Sequence, residues 1–345
     1  MWGYVIEHHG GPEVLSWREL PSPVPGPGEV LVRVAAVGVN HLDLWVRRGV
    51  PGHRFPLPLV PGSDIVGTIE EAVPQYPELM PGTRYFVSPG YSCNRCLQCL
   101  TGQQQLCRSY GIFGESCNGG YARYVAVPAV NLVPIPEHLT FVEAASMPLT
   151  FLTAWHMLVS RAHVRPGQWV LVQAASSGVS SAAIQVARLW GANVIATGST
   201  PEKLEYALKL GAGHALESSR EDFVKEVRRI TGGAGIDIVV DHVGAPTFKA
   251  GLAVLAKGGS LVLCGATAGH LVETDLRMVF FKGISILGST MGSPGEMLEI
   301  ARHIAGRRLT PNLQRVLPIS EAAEAHRLVE GRMVLGKVVL AFPEE

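Results

Sequence analysis

The sequence predicts an α/β protein in which a Rossmann-type, doubly wound parallel sheet accompanies a mainly β second domain. Three observations carry this expectation. From about residue 150, continuous apolar runs alternate with helix-like segments, the pattern of parallel strands covered on both faces. The first of those strands runs into a tight loop of small residues, Ala174-Ala175-Ser176-Ser177-Gly178-Val179-Ser180, and then into a helix. Before residue 150, short apolar runs such as VLVRVAAVGV (Val30–Val39) are broken by Pro and Gly, which reads as strands separated by turns.

Length and charge narrow the partners. The 345 residues suffice for about two domains, and 47% apolar residues supply the cores. The 29 basic and 29 acidic side chains cancel, and no long basic run advertises nucleic acid or an anionic membrane. A small neutral or modestly charged molecule is the expected substrate. No apolar run approaches the roughly 18 residues of a membrane span, and the start, MWGYVIEHHGG, lacks a basic segment followed by an apolar core. A cytoplasmic location is expected, and in that reducing compartment clustered cysteines point to metal or redox chemistry ahead of disulfides.

Such a cluster is present in CNRCLQCLTGQQQLC, which brings together Cys93, Cys96, Cys99 and Cys107. Four thiolates enclose a divalent ion tetrahedrally and leave no open position for water or substrate. The expected occupant is one structural zinc per chain, which orders the loop and takes no part in the reaction. A disulfide pair or an iron–sulfur cluster is the competing reading. Cys117 and Cys264 read as small buried apolar residues, Cys264 at the end of a strand.

Beyond residue 150, TFLTAWHMLV reads as helix, and the turn Arg165-Pro166-Gly167 leads to the strand WVLVQ, the small-residue loop, the helix SAAIQVARLWGA and the strand NVIAT. The loop holds the position of a dinucleotide-binding turn, where small residues let backbone approach a pyrophosphate at a helix N-terminus. Its candidate contacts are Ser176, Ser177, Gly178 and Val179. Only Gly178 remains of the glycine fingerprint, so an ordinary tight turn is the alternative and the strand–loop–helix context carries the reading. An NAD site would place Asp or Glu about 20 residues on. Here Gly198-Ser199-Thr200 follows Thr197, with Lys203 one turn further. The missing acid and the donors Ser199, Thr200 and Lys203 favour NADP, with NAD still possible; Lys203 reads equally as part of a solvated helix face. DIVVD (Asp237–Asp241), SLVLC (Ser260–Cys264) and ISIL (Ile284–Leu287) supply further strands.

GGPEVL (Gly10–Leu15), GEVLVRVAAVGVNHLD (Gly28–Asp43), PLVPGSDIVGTI (Pro58–Ile69), the cysteine lobe, LTAWHML (Leu152–Leu158), the nucleotide loop, DHVG (Asp241–Gly244) and GKVVL near the end together resemble the medium-chain dehydrogenase/reductase superfamily. That superfamily includes zinc alcohol dehydrogenases and zinc-free quinone oxidoreductases, and the resemblance covers nearly the whole chain. It implies a GroES-like catalytic domain from residues 1–150 and 287–345, with the Rossmann domain, 151–286, inserted between them. It also implies substrate binding in an interdomain cleft and a homodimer or homotetramer. Thr153 would lie against the nicotinamide, with Val243-Gly244, Cys264-Gly265 and Gly288-Ser289 along the cofactor cleft.

The same resemblance puts Asn40, Ser63 and Leu149 where catalytic-zinc members carry their principal ligands, Asp64 where they carry a nearby glutamate, and Leu42 in place of the proton-relay Ser or Thr. The implied protein keeps the structural-zinc lobe and lacks the catalytic ligands. A plain ketone or aldehyde gains several kcal/mol from a Lewis acid on oxygen, whereas a quinone or enone spreads the developing charge and manages with hydrogen-bond donors. The expected reaction is hydride transfer from C4 of NADPH to a quinone or to the β-carbon of an activated alkene. Asn40, His41 and Asp43 are the candidate catalytic residues, Asn40 as a polar group near the nicotinamide or substrate oxygen or as an amide that satisfies loop backbone. Trp45 reads as pocket wall or core. The alternatives are an alcohol dehydrogenase with an unconventional metal site drawn from His41, Asp43, Asp64 or His156, and a nucleotide-binding protein without activity.

Overall fold

The computed structural model of the protein describes residues 1–71 and 73–343. The chain forms two compact units, one from Met1–Leu152 and Gly292–Glu345, the other from Thr153–Met291.

The second unit is built on six parallel strands. In spatial order they are His214–Glu217, Asn193–Gly198, Trp169–Val172, Ile236–Asp241, Leu255–Leu263 and Ser285–Gly288. Numbered along the chain this is 3-2-1-4-5-6, the Rossmann order, with its switch point between the first and fourth strands. The continuous apolar runs follow from burial on both faces: Val170, Leu171, Val172, Val239 and Val240 are all fully buried. Helix Gly178–Leu189 follows the first strand, and its Ala182, Ala183, Ile184, Val186 and Ala187 are likewise fully buried. Small side chains there let the helix approach the sheet closely. Because the strands are parallel, the loops at their carboxyl ends share one edge of the sheet. The last strand, Ser285–Gly288, spans residue 287, where the sequence reading begins the C-terminal tail; the unit runs on to Met291.

The first unit is organised by the ten-residue strand Glu29–Gly38, the longest apolar alternation of its region. This strand pairs antiparallel with Asp64–Ile69, Tyr124–Pro128 and Lys337–Ala341 in a seven-stranded sheet. Register does the rest: Gly38 lies opposite both Val339 and Asp64, so the chain just beyond Gly38 meets Lys337 on one side and Asp64 on the other. Helices His41–Arg48, Pro294–Ala305 and Ala322–Glu330 belong to this unit. Among the described residues, no helix is long and apolar enough to cross a membrane.

Candidate cofactor and active site

The four cysteines of the loop converge. Cys96 and Cys99 sulfurs are 3.5 Å apart, Cys93 and Cys107 3.6 Å, Cys93 and Cys99 3.9 Å, and all four lie within 4.8 Å of one another. A tetrahedral zinc with Zn–S bonds of about 2.3 Å separates its sulfurs by about 3.8 Å, so the cage fits that ion. Backbone N–H groups of Arg95 and Cys96 point at Cys93 and lower its thiol to about 6, whereas at Cys96 the Cys99 N–H is outweighed by burial and the neighbouring thiols, which raise that thiol to about 11. The lobe has little core of its own, since Leu97, Leu100 and Leu106 are exposed. No other cluster of three or more His, Cys, Asp or Glu able to hold a metal occurs among the described residues.

The cofactor candidates gather on the carboxyl edge of the parallel sheet. Ser176 to Val179 follow the first strand, Ser199 and Thr200 the second, Val243 and Gly244 the fourth, Cys264 and Gly265 the fifth, while Gly288 and Ser289 end and follow the sixth. Ser177 caps helix Gly178–Leu189, its hydroxyl accepting the Ser180 N–H at 3.1 Å, which satisfies one of the free donors of the first turn. Thr200 caps the next helix, and Lys203 Nζ reaches Ser199 Oγ at 3.3 Å. Asp241 fixes the turn after the fourth strand by accepting from Val243 N and Gly244 N. Gly244 has φ +91° there, and a Cβ would collide with the Gly269 carbonyl. Arg161 Nε donates to the Gly288 carbonyl at 2.8 Å. Cys264 and Cys117 are half-buried, not fully buried as expected, and the surroundings of Cys264 raise its thiol above the usual range. Two hydroxyl oxygens, Thr153 Oγ1 and Ser289 Oγ, are buried with no partner among the described residues. Buried polar groups without partners call for one, and these fit the polar groups of a nicotinamide dinucleotide.

The catalytic candidates lie in the first unit and are tied to one another. Asp43 is fully buried and accepts from Asn40 N at 2.7 Å and Gly62 N at 3.0 Å; burial nevertheless raises its carboxyl to about 7. Gly62 needs its φ of +100°, and a Cβ would overlap the Tyr121 ring. Asp43 therefore fixes the turn leading to Ser63. Asn40 gives its amide hydrogens to Asp64 Oδ2 at 2.9 Å and the Gly38 carbonyl at 3.4 Å. Asp64 is fully buried, and its other oxygen accepts Leu149 N at 2.6 Å. His41 and Trp45 are half-buried on the same helix. The remaining member of the cluster is Lys337. Its ammonium donates to Asp64 Oδ2 at 2.8 Å, Asn40 Oδ1 at 2.7 Å and the Val39 carbonyl at 2.8 Å, and the residue is 3% exposed.

Residues 26–137 match the alcohol dehydrogenase GroES-like domain, and residues 178–306 match the zinc-binding dehydrogenase domain. A 2-haloacrylate reductase from Burkholderia sp is 33% identical, covering 97% of each chain. The Homo sapiens quinone oxidoreductase is 28% identical over 96% of this chain and 94% of its own. A crystal structure of an NAD-dependent alcohol dehydrogenase superposes with a TM-score of 0.96 at 48% identity, covering 99% of both chains. The chain belongs to the medium-chain dehydrogenase/reductase superfamily.

It is an NAD(P)-dependent oxidoreductase of the zinc-type alcohol dehydrogenase and quinone oxidoreductase group. The four-cysteine cage suits the zinc, and the carboxyl edge of the sheet suits the nicotinamide cofactor. Within this dehydrogenase/reductase frame, both buried carboxylates near Asn40 are already engaged: Asp43 by two backbone N–H groups, Asp64 by a backbone N–H, an amide and an ammonium. Asn40 has given both amide hydrogens to the protein. Ser63 differs, being fully buried with an Oγ that has no partner among the described residues. Two residues went unread in the sequence. Lys337 stands inside GKVVL and His242 inside DHVG, both quoted for resemblance only, and neither segment signals the contact its side chain makes.

Proposed function

We propose that the protein reduces quinones or activated enones with NADPH and uses no catalytic zinc. The observation that carries this reading is the closed Asn40–Asp64–Lys337 cluster. A buried ammonium already neutralises Asp64, so a dication beside it would face a positive charge and no free carboxylate. Dihydronicotinamide supplies the hydride when bound. Ser63 Oγ, buried with no partner among the described residues, would donate to the oxygen on which charge develops, and a donor so placed is worth about 10²–10³ in rate. Asp43 holds the Gly62 turn and thereby Ser63. The names of two relatives, 2-haloacrylate reductase and quinone oxidoreductase, support the substrate class.

NADPH is preferred because no carboxylate follows strand Asn193–Gly198 until the exposed Glu202, while Ser199, Thr200 and Lys203 present donors and a positive charge. The names of two relatives carry NAD and those of two others carry NADP, so this choice rests on these residues. A second copy of the chain is the expected partner. The edge strand Ser285–Gly288 has one unpaired side, and exposed Leu276, Phe280, Phe281 and Ile286 lie on it or on the helix preceding it.

The test is a substrate survey with NADPH and NADH against quinones, enones and aldehydes, with alcohol oxidation measured in parallel. The reading expects quinones or enones to lead and Ser63→Ala to lower kcat at least about tenfold. Alcohol oxidation as the dominant activity overturns it.

A further inference from the structure

The last two glycines of the G-x-G-x-x-G fingerprint stand three positions apart, one allowing backbone to approach the pyrophosphate and the other allowing the helix to sit against the strand. At that spacing this chain has Ser177 and Ser180. Both serines meet the same side chain, that of His242 at the end of the fourth strand. Its Nε2 lies 2.7 Å from Ser177 Oγ and 2.9 Å from Ser180 Oγ. The first and fourth strands are neighbours, so this contact spans the switch point, where ligands of such sheets bind.

Counting hydrogens fixes its polarity. A serine hydroxyl has one hydrogen to give and two lone pairs to receive. Ser180 gives its hydrogen to the Gln173 carbonyl, so it approaches His242 as an acceptor and Nε2 must carry a hydrogen. Ser177 Oγ receives the Ser180 N–H and faces the same Nε2–H, which occupies both of its lone pairs. Its own hydrogen has no internal acceptor among the described residues and is left to point out of the loop. The His242 carbonyl is held by Thr267 N at 3.0 Å and Thr267 Oγ1 at 3.2 Å, so the strand end behind the ring is fixed.

We propose that Ser177 donates its hydroxyl hydrogen to the cofactor pyrophosphate, and that His242 is a positioning residue that imposes this direction on it through Nε2–H. The two serines thereby replace lost glycines with a directed donor at a helix N-terminus already suited to anions. The inference rests on the dinucleotide reading of the loop and applies to NADPH and NADH alike, since both carry the pyrophosphate.

The experiment titrates NADPH and NADH into the full-length protein and its variants by cofactor fluorescence, with adenosine 2′-phosphate, which lacks the pyrophosphate, as control ligand. Ser177→Ala is expected to weaken both dinucleotides about tenfold to a hundredfold, the range of a hydrogen bond to a charged group. Binding of adenosine 2′-phosphate should be unchanged. His242→Leu is expected to weaken the dinucleotides in the same direction, His242→Gln, which restores an N–H, to recover part of the loss, and kcat at saturating cofactor to hold within about twofold. Because His242 acts through Ser177, the double variant should bind no worse than Ser177→Ala alone, a non-additivity diagnostic of coupled groups. Unchanged dinucleotide binding in Ser177→Ala, additive losses in the double variant, or an equal loss for adenosine 2′-phosphate overturns the proposal. Tighter binding of NADH than NADPH by the unaltered protein overturns the NADPH preference and leaves this inference standing.

Discussion

Replacing Lys337 with methionine keeps the apolar stem to the position of Cε and removes the charged ammonium. Three acceptors within 2.8 Å then lose the ammonium: Asp64 Oδ2, which keeps the Asn40 amide, Asn40 Oδ1 and the Val39 carbonyl. Asp64 is fully buried and Lys337 3% exposed, so solvent does not reach in to compensate. Breaking a buried pair in this one-sided way costs about 3–5 kcal/mol. Equilibrium urea unfolding of the variant and the parent at pH 7 measures this. Lys337→Met combined with Asp64→Asn should regain much of the stability, because no unpaired charge remains. A loss below about 1 kcal/mol at pH 7 would refute the view that this ammonium holds the site together.

Other outcomes follow from the same structure. His326 is fully buried against Tyr121, and burial, assisted by the neighbouring Arg47, lowers its imidazole to about 3. The unfolded chain therefore binds the extra proton below about pH 6.5, so this contribution to stability is complete above that pH and is lost as pH falls towards 3; His326→Gln should flatten the decline by about 2 kcal/mol between pH 6.5 and 5 in urea titrations. Ser199→Asp puts a carboxylate at the end of the second strand and should shift the ratio of kcat/KM for NADPH over NADH by at least about tenfold towards NADH. Phe281→Glu places a charge on a side chain that is 74% exposed beside the edge strand; on the proposed self-association, sedimentation should find a dimer or tetramer for the parent and monomers for the variant.

The parallel sheet was legible because strands buried on both faces read as unbroken apolar runs, and Val170–Val172 and Ile238–Val240 need no tertiary context to be recognised. The cysteine cage was legible from spacing alone, since all four ligands lie on one short loop. The tight turn between strand Trp169–Val172 and helix Gly178–Leu189 was legible from position, despite the loss of its glycines. What sequence could not supply was register. Lys337 meets Val39 across 298 positions, and only the antiparallel pairing of Val339 with Gly38 and of Gly38 with Asp64 makes that lysine the centre of the cluster. Without it, Asn40 reads as a donor facing substrate; with it, both amide hydrogens turn inward. His242 was hidden for a similar reason, because it meets Ser177 only when the first and fourth strands are neighbours. The orphaned hydroxyls of Ser63, Thr153 and Ser289 are visible only once every other partner has been assigned.

The central claim, a zinc that shapes the protein and a reaction that proceeds without one, is tested most directly by counting zinc per chain in chelator-washed enzyme while assaying quinone or enone reduction on the same sample. The account predicts about one tightly held ion, lost in Cys107→Ser, and full reductase activity in the washed parent. About two ions per chain, with activity that disappears as the second is removed, would contradict it.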